Sequence, residues 1–363
     1  MKSQILAIKI YYFKNMLELL PYKKELDSRL DNFVFQESVN GTFLQSRLFL
    51  NYHPENRFQD ESFALERSGT IAAYFPGNVT SENEFVSHQG STFGGPIFSK
   101  AFYSAGRVME ALKFADEYFA SKYRKVRLKI TPALFAKESP DLIEYVLEHL
   151  GYTRHTELSS YTPLVDVSGN PIKDPLANCE KDCRRIFRIS EKFDVTYRAF
   201  NADQSEGKAS TELLDFYKFL EISKAKHNVR PVHSIEELQD LQKRLNIAVT
   251  DDTTANGRTL ERLRFRGIWQ GDRYVAAMML FAFPETGTLH AQYIAPDDSF
   301  KEFHPTTTLY VNTMREAAQE GFRNFSWGIS TEDGGSYLNE NLIKYKESLG
   351  AKACVNVTYS KEF

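Results

Sequence analysis

Two stretches of this chain carry nearly the same message: EFVSHQG at residues 84–90 and TLHAQYI at residues 288–294. Each reads as a short strand leading into a long amphipathic helix. A second strand follows, KVRLKIT (125–131) in one case and NFSWGIS (324–330) in the other. Each run then ends in a helix stopped by glycine, LIEYVLEHLGY (142–152) and LIKYKESLGA (342–351). His88 corresponds to His290, an offset of 202, and Gly151 to Gly350, an offset of 199. A period that long is a duplicated domain, whereas solenoid repeats recur every 20–50 residues or so. The repeated strand–helix–strand–helix unit defines an α/β fold of two tandem modules, each a mixed central sheet flanked by helices. Ligand sites favour the places where such modules meet.

Working outward, residues 1–167 form the first module, 168–177 the connector and 178–363 the second module. The connector carries Gly169, Pro171 and Pro175, all turn formers. In the first module, helical spacing runs from Lys24 to Glu37 and from Phe43 to about Tyr52, with the NGT at 40–42 between. Residues 62–66 and 70–76 read as a hairpin, and Ala101–Tyr123 as a long helix. In the second, helices are expected over 178–192, 212–226 and 234–245, the last opened by a Ser234/Glu237 capping box. A hairpin turns at Gly271-Asp272, a helix enters at Pro305, and a last strand lies near 354–359. The polar run TDDTTANGRT (250–259) reads as a surface loop.

The length of 363 residues suits two domains, and 42% hydrophobic with 26% charged residues is ordinary for a globular protein. Against 48 acidic residues stand 45 basic ones, a net charge of −3. No global field therefore recruits DNA or an anionic membrane. Cys179, Cys183 and Cys354 make no disulfide framework, and no second pair completes a metal set. The N-terminal run lacks an unbroken apolar stretch and a cleavage site, and no run reaches membrane-spanning length. The expectation is a cytoplasmic protein with no metal. The sequence sets no oligomeric state.

The phrases NGTFLQSRLFLNYH (40–53), SHQGSTFGG (87–95), KHNVRPVHS (226–234), HAQYI (290–294), WGIS (327–330) and LNENLIKYKESLGA (338–351) resemble the Fem-like tandem GNAT acyltransferases of bacterial surface-polysaccharide gene clusters. The resemblance covers roughly residues 25–363. It implies an acyl thioester, acyl-CoA above all, held between the strands 288–294 and 324–330. Its pyrophosphate would sit at the helix start near Thr306, Thr307 and Thr308, where free N–H groups and the helix dipole favour anions. The acceptor implied is an amine on an amino-sugar or a lipid- or nucleotide-linked glycan precursor. Aminoacyl transfer from charged tRNA, or a binding protein that has lost turnover, stand as alternatives. One departure is plain: the loop APDDSFKEFHPTTT (295–308) has no glycine and carries Asp297 and Asp298 where the family has a glycine-rich loop.

Candidate site residues follow. His227 and His233 flank Pro231, and a neutral imidazole can serve as general base. Tyr293 is a candidate proton donor to the leaving thiolate, alternation placing it opposite His290 and Gln292. Substrate contacts are expected from His88, Gln89, Gly94, Gly95, Lys226, Gln292, Trp327, Asn339 and Lys346. Arg184 and Arg188 join a basic stripe with Lys181, Arg185 and Lys192, fit for a diphosphate, with Ile186, Ile189 and Phe193 turned inward. For each a plain structural role is the alternative: a solvated basic face, a tight turn, a buried tyrosine, a surface lysine.

Overall fold

The computed structural model describes residues 16–204, 207–226, 228–249 and 258–363. The chain divides into two compact units: residues up to Thr156 together with Asn356–Phe363, and Glu157–Val355. The division thus falls before residues 168–177, which lie inside the second unit.

In the first unit, β1 (Glu18–Pro21), β3 (Phe63–Arg67), β4 (Thr70–Phe75) and β7 (Ile97–Phe98) form a four-stranded antiparallel sheet, in that order. β2 (Gln59–Asp60), β5 (Asn78–Val79), β6 (Glu84–Val86) and β8 (Lys125–Lys129) belong to a second sheet, in which β6 and β8 run parallel. The first expected helix breaks up into a 3-10 turn (Lys24–Leu26), α1 (Asp27–Asn32) and a π turn (Phe33–Glu37). The second shrinks to α2 (Arg47–Leu50), behind a capping box of Thr42 and Gln45. α3 (Ala105–Lys122) crosses from β6 to β8 and buries Val108, Ala111, Leu112, Ala115 and Phe119. That spacing is one helix face. α4 (Asp141–His149) buries Ile143, Val146 and Leu147 in the same core. Phe63, Phe75, Phe85 and Phe119 interlock there at ring separations of 4.7–6.1 Å. Each such ring contributes about 1.5–3 kcal/mol by leaving water.

The second unit opens within β9 (Thr153–Pro163), a strand the sequence reading missed because TRHTELSSYTP lacks apolar alternation. α5 (Lys181–Ser190) is followed by β10 (Thr196–Phe200), α6 (Thr211–Ala225) and α7 (Ile235–Leu245). α7 starts at the expected box: Ser234 N donates to Glu237 Oε2 at 2.8 Å and Glu237 N to Ser234 Oγ at 3.2 Å. β11 (Ile247–Val249) and β12 (Arg258–Leu260) pair with each other; most of the polar 250–259 run lies outside the described residues. β13 (Leu263–Gln270), β14 (Arg273–Phe283) and β15 (Thr288–Pro296) make an antiparallel meander, and α8 (Pro305–Gln319) crosses over to β16 (Asn324–Ile329), parallel to β15. The sheet order is β10-β13-β14-β15-β16-β9. A short ladder of β17 (Thr331–Glu332) and β18 (Tyr337–Leu338) leads into α9 (Glu340–Ser348). Met278, Leu280, Leu309, Val311, Met314 and Phe325 form the core beneath α8. β19 (Lys352–Glu362) ends the chain, its residues 358–362 pairing antiparallel with β8 in the first unit.

Both units are therefore mixed α/β sheets, and the duplication is visible in the backbone. A parallel pair bridged by one helix recurs as β6-α3-β8 and β15-α8-β16.

Candidate active site

The second unit contains a wedge-shaped opening between parallel strands. β15 and β16 pair at Thr288↔Asn324, Leu289↔Phe325 and His290↔Ser326, and then part. β16 stays on β9 as far as Ile329↔Ser159, while β15 stays on β14 as far as Pro296↔Ala276. Both strands are bulged just beyond the parting. Gln292 is the extra residue between Met279↔Tyr293 and Leu280↔Ala291, and Trp327 the extra one between Ser326↔Tyr161 and Gly328↔Ser160. A bulge leaves its residue out of the ladder and re-aims the side chains around it.

The bulge at Gln292 interrupts the expected alternation along β15. His290 is buried beside Ser326 Oγ, 3.0 Å from Nδ1, and burial pushes its ring down to about 4. It is a neutral imidazole at pH 7. The Tyr293 hydroxyl meets His233 Nδ1 at 2.8 Å, and burial raises this phenol to about 12, so it stays protonated. His233 is 6% exposed, held at the start of α7 by the Ser234 cap, and Tyr217 Oη donates to its carbonyl at 3.0 Å. Two residues named from the sequence, His233 and Tyr293, are thus one hydrogen-bonded pair. His227 lies outside the described residues.

Lys346 does not present its ammonium to a ligand. It is 4% exposed and donates to Gly328 O (3.1 Å), Ile329 O (2.7 Å) and Ser330 Oγ (2.8 Å), which uses all three protons. Burial brings it down to about 8.

A pocket of about 270 Å³ lies at the start of α8, lined by Asp297, Asp298, Lys301, His304, Thr306, Thr307 and Tyr345. His304 adopts a left-handed conformation, φ 50°, and Pro305 begins the helix. The amides of Thr306 and Thr307 have no acceptor among the described residues, whereas Thr308 N donates to His304 O and its hydroxyl bonds the same carbonyl. Thr306 and Thr307, but not Thr308, therefore face the pocket. Thr307 Oγ1 lies 3.3 Å from Tyr345 Oη. Of the two acidic residues, Asp297 caps Ser299 N and Asp298 pairs with Lys226, an exposed ion pair of little energetic weight. Lys226 thus touches the pocket rim through Asp298.

The matching place in the first unit is filled. β6 and β8 pair through Val86↔Arg127. Ser87 N then donates to Arg127 O at 2.9 Å, and Ser87 Oγ accepts from Lys129 N at 2.7 Å. Gly94 N and Gly95 N both donate to Lys129 O. Their amides are taken, so they cannot cradle a ligand as expected. A Cβ on Gly94 would lie 2.1 Å from Ser87 O; close packing is what demands the glycine. His88, φ 40°, is buried against His53 and Phe58, and burial drives it to about 4. Gln89 is pinned to Asn78 by two hydrogen bonds of 2.8 Å.

Four further expectations change. Arg184 Nη1 donates to Ala177 O and Cys179 O, which ties that end of the guanidinium to the backbone before α5, while Arg188 stays exposed. α5 buries Cys183, Phe187 and Ser190, not Ile186 and Ile189, because the inward face is set by packing on α8. Asn339 caps α9 through Leu342 N and holds Glu332. Trp327 is a core residue, its Nε1 donating to Thr162 Oγ1 at 2.9 Å and its ring 4.5 Å from Tyr310. Among the described residues no group of His, Cys, Asp and Glu is arranged to hold a metal ion, and no helix is long and apolar enough to cross a membrane.

Residues 206–347 match the model of a family described as an acetyltransferase (GNAT) domain. The chain thus carries a GNAT-type acyltransferase domain. Its fold is similar to that of FemX, with a TM-score of 0.63 at 11% identity over 95% of this chain and 97% of that one. It is also similar to L-PGS from Bacillus licheniformis (TM-score 0.55, 13% identity, 92% and 90% covered). A tandem GNAT protein from the clavulanic acid biosynthesis pathway matches over 96% and 98% of the two chains (TM-score 0.52, 9% identity). No curated protein sequence matches the chain.

Proposed function

We propose that this protein transfers an acyl group from a thioester donor, acyl-CoA in the first instance, to an amine on an amino-sugar or cell-envelope glycan precursor in the cytoplasm. The observation that carries the reading is the wedge between β15 and β16, with its bulge at Gln292 beside the His233–Tyr293 pair. The donor arm lies in the wedge along the unpaired edge of β15, and its phosphate meets the amides of Thr306 and Thr307. The acceptor nitrogen attacks the thioester carbonyl, and the oxyanion is met by the backbone at the bulge. The C–N bond forms and the C–S bond breaks. The proton lost by nitrogen passes to His233 and ends on the leaving thiolate, Tyr293 serving as the protonated phenol in that relay. Holding the two substrates in register supplies much of the rate.

The filled wedge of the first unit supports placing the donor in the second. Asp297 and Asp298 beside a glycine-free loop weigh against a tightly held diphosphate and keep aminoacyl-tRNA in view as donor. The test is acyl transfer to amino-sugar nucleotides and lipid-linked glycans, run with acyl-CoAs and with charged tRNA. Turnover with acyl-CoA that falls about 100-fold in Tyr293→Phe supports the reading. Turnover with charged tRNA alone, or donor binding with no turnover, refutes it.

A further inference from the structure

We propose that Lys346 is a positioning residue that holds the wedge between β15 and β16 open. Consecutive carbonyls of a strand point in opposite directions. Here the consecutive carbonyls of Gly328 and Ile329 both turn to one ammonium. Gly328 allows this by taking a left-handed conformation, φ 71°, at the end of the bulge. Ser330 Oγ completes the set, and Ser330 N is tied to Leu158 O at 2.7 Å. With those carbonyls occupied, β16 cannot offer them to the amides of β15 beyond His290. The parallel ladder stops there.

The ammonium is buried with no carboxylate beside it among the described residues. The groups that act on it are His290 of β15, neutral at pH 7, and Cys354 of β19, whose thiol burial raises. Three hydrogen bonds to neutral oxygens are what keep it charged, and burying a charge in that way costs stability. A neutral side chain would spare that cost, and the carbonyls would be released toward the nearest unpaired donors, the amides of β15.

The meaning of the clamp for donor binding rests on the function proposed above; the clamp itself is read without substrate. Hydrogen exchange of the ligand-free protein compares wild type with Lys346→Met. The expected result is exchange slowed at least about tenfold in residues 291–295, as the two strands zip together. In the transfer assay the donor KM rises about tenfold while kcat changes less than about threefold. Unchanged or faster exchange at 291–295 overturns the proposal. Ser330→Ala removes one of three acceptors and leaves the lysine in place. It slows exchange at the same residues measurably, by about threefold or less, and no slowing overturns the proposal even where Lys346→Met does not fold. Slowed exchange in a protein that accepts no thioester leaves the clamp standing and refutes the donor reading alone.

Discussion

Acidification should destabilise both units through one buried imidazole in each. His88 is 3% exposed and His290 9% exposed, and burial takes each ring from its ordinary 6.5 to about 4. A folded value below the unfolded one means the unfolded chain binds the extra proton. The stability concerned is fully present above pH 6.5 and is lost as pH falls from 6.5 toward 4. Between pH 7 and pH 5 each histidine removes about 2 kcal/mol, since a tenfold difference in proton affinity is worth about 1.4 kcal/mol. That is a sizeable share of a domain stability of about 5–15 kcal/mol. The perturbation to make is His290→Asn, which keeps a polar partner for Ser326 Oγ. Urea unfolding at pH 7 and pH 5, followed in the transition of the second unit, should show a pH-dependent loss about 2 kcal/mol smaller in the variant than in wild type. His88→Asn should do the same in the transition of the first unit. Equal pH dependence in variant and wild type, or an NMR titration of the His290 ring near its ordinary value, would refute the reasoning.

Other outcomes follow from single contacts. Gly94→Ala places a Cβ 2.1 Å from the Ser87 carbonyl and should destabilise the first unit by more than about 2 kcal/mol in urea unfolding; a neutral result would mean the 87–95 loop does not fill that wedge. Thr306→Asp puts a carboxylate at the second position of α8, where the dipole favours it. Its melting temperature should hold or rise while the KM for an anionic thioester donor increases about tenfold; an unchanged KM places the donor phosphate elsewhere. Tyr293→Phe should cost about 1 kcal/mol of stability by leaving His233 Nδ1 without its 2.8 Å partner, measured by thermal unfolding alongside the rate.

Much of this molecule is local and so was legible in its sequence. The repeat, the β15-α8-β16 crossover, the hairpin through Gly271-Asp272, the Ser234 cap and the helix entry at Pro305 all rest on spacing and turn chemistry within a few residues. The pairing of His233 with Tyr293 was half legible: both were named, but nothing local puts residues 60 apart within 2.8 Å. β9 was not legible, because a polar strand is made a strand by the neighbours it pairs with. Nor were the bulges at Gln292 and Trp327, since a bulge is a mismatch between two registers and exists in neither strand alone. The same holds for Gly94 and Lys346. The glycine read as a ligand cradle is required by a carbonyl seven residues back, and the lysine read as a substrate contact is spent on the carbonyls of β16. The sequence determined the strand–helix–strand–helix unit and that it occurs twice. Only tertiary structure decided which wedge is filled and which stands open, because that depends on where distant backbone hydrogen-bonding groups find their partners.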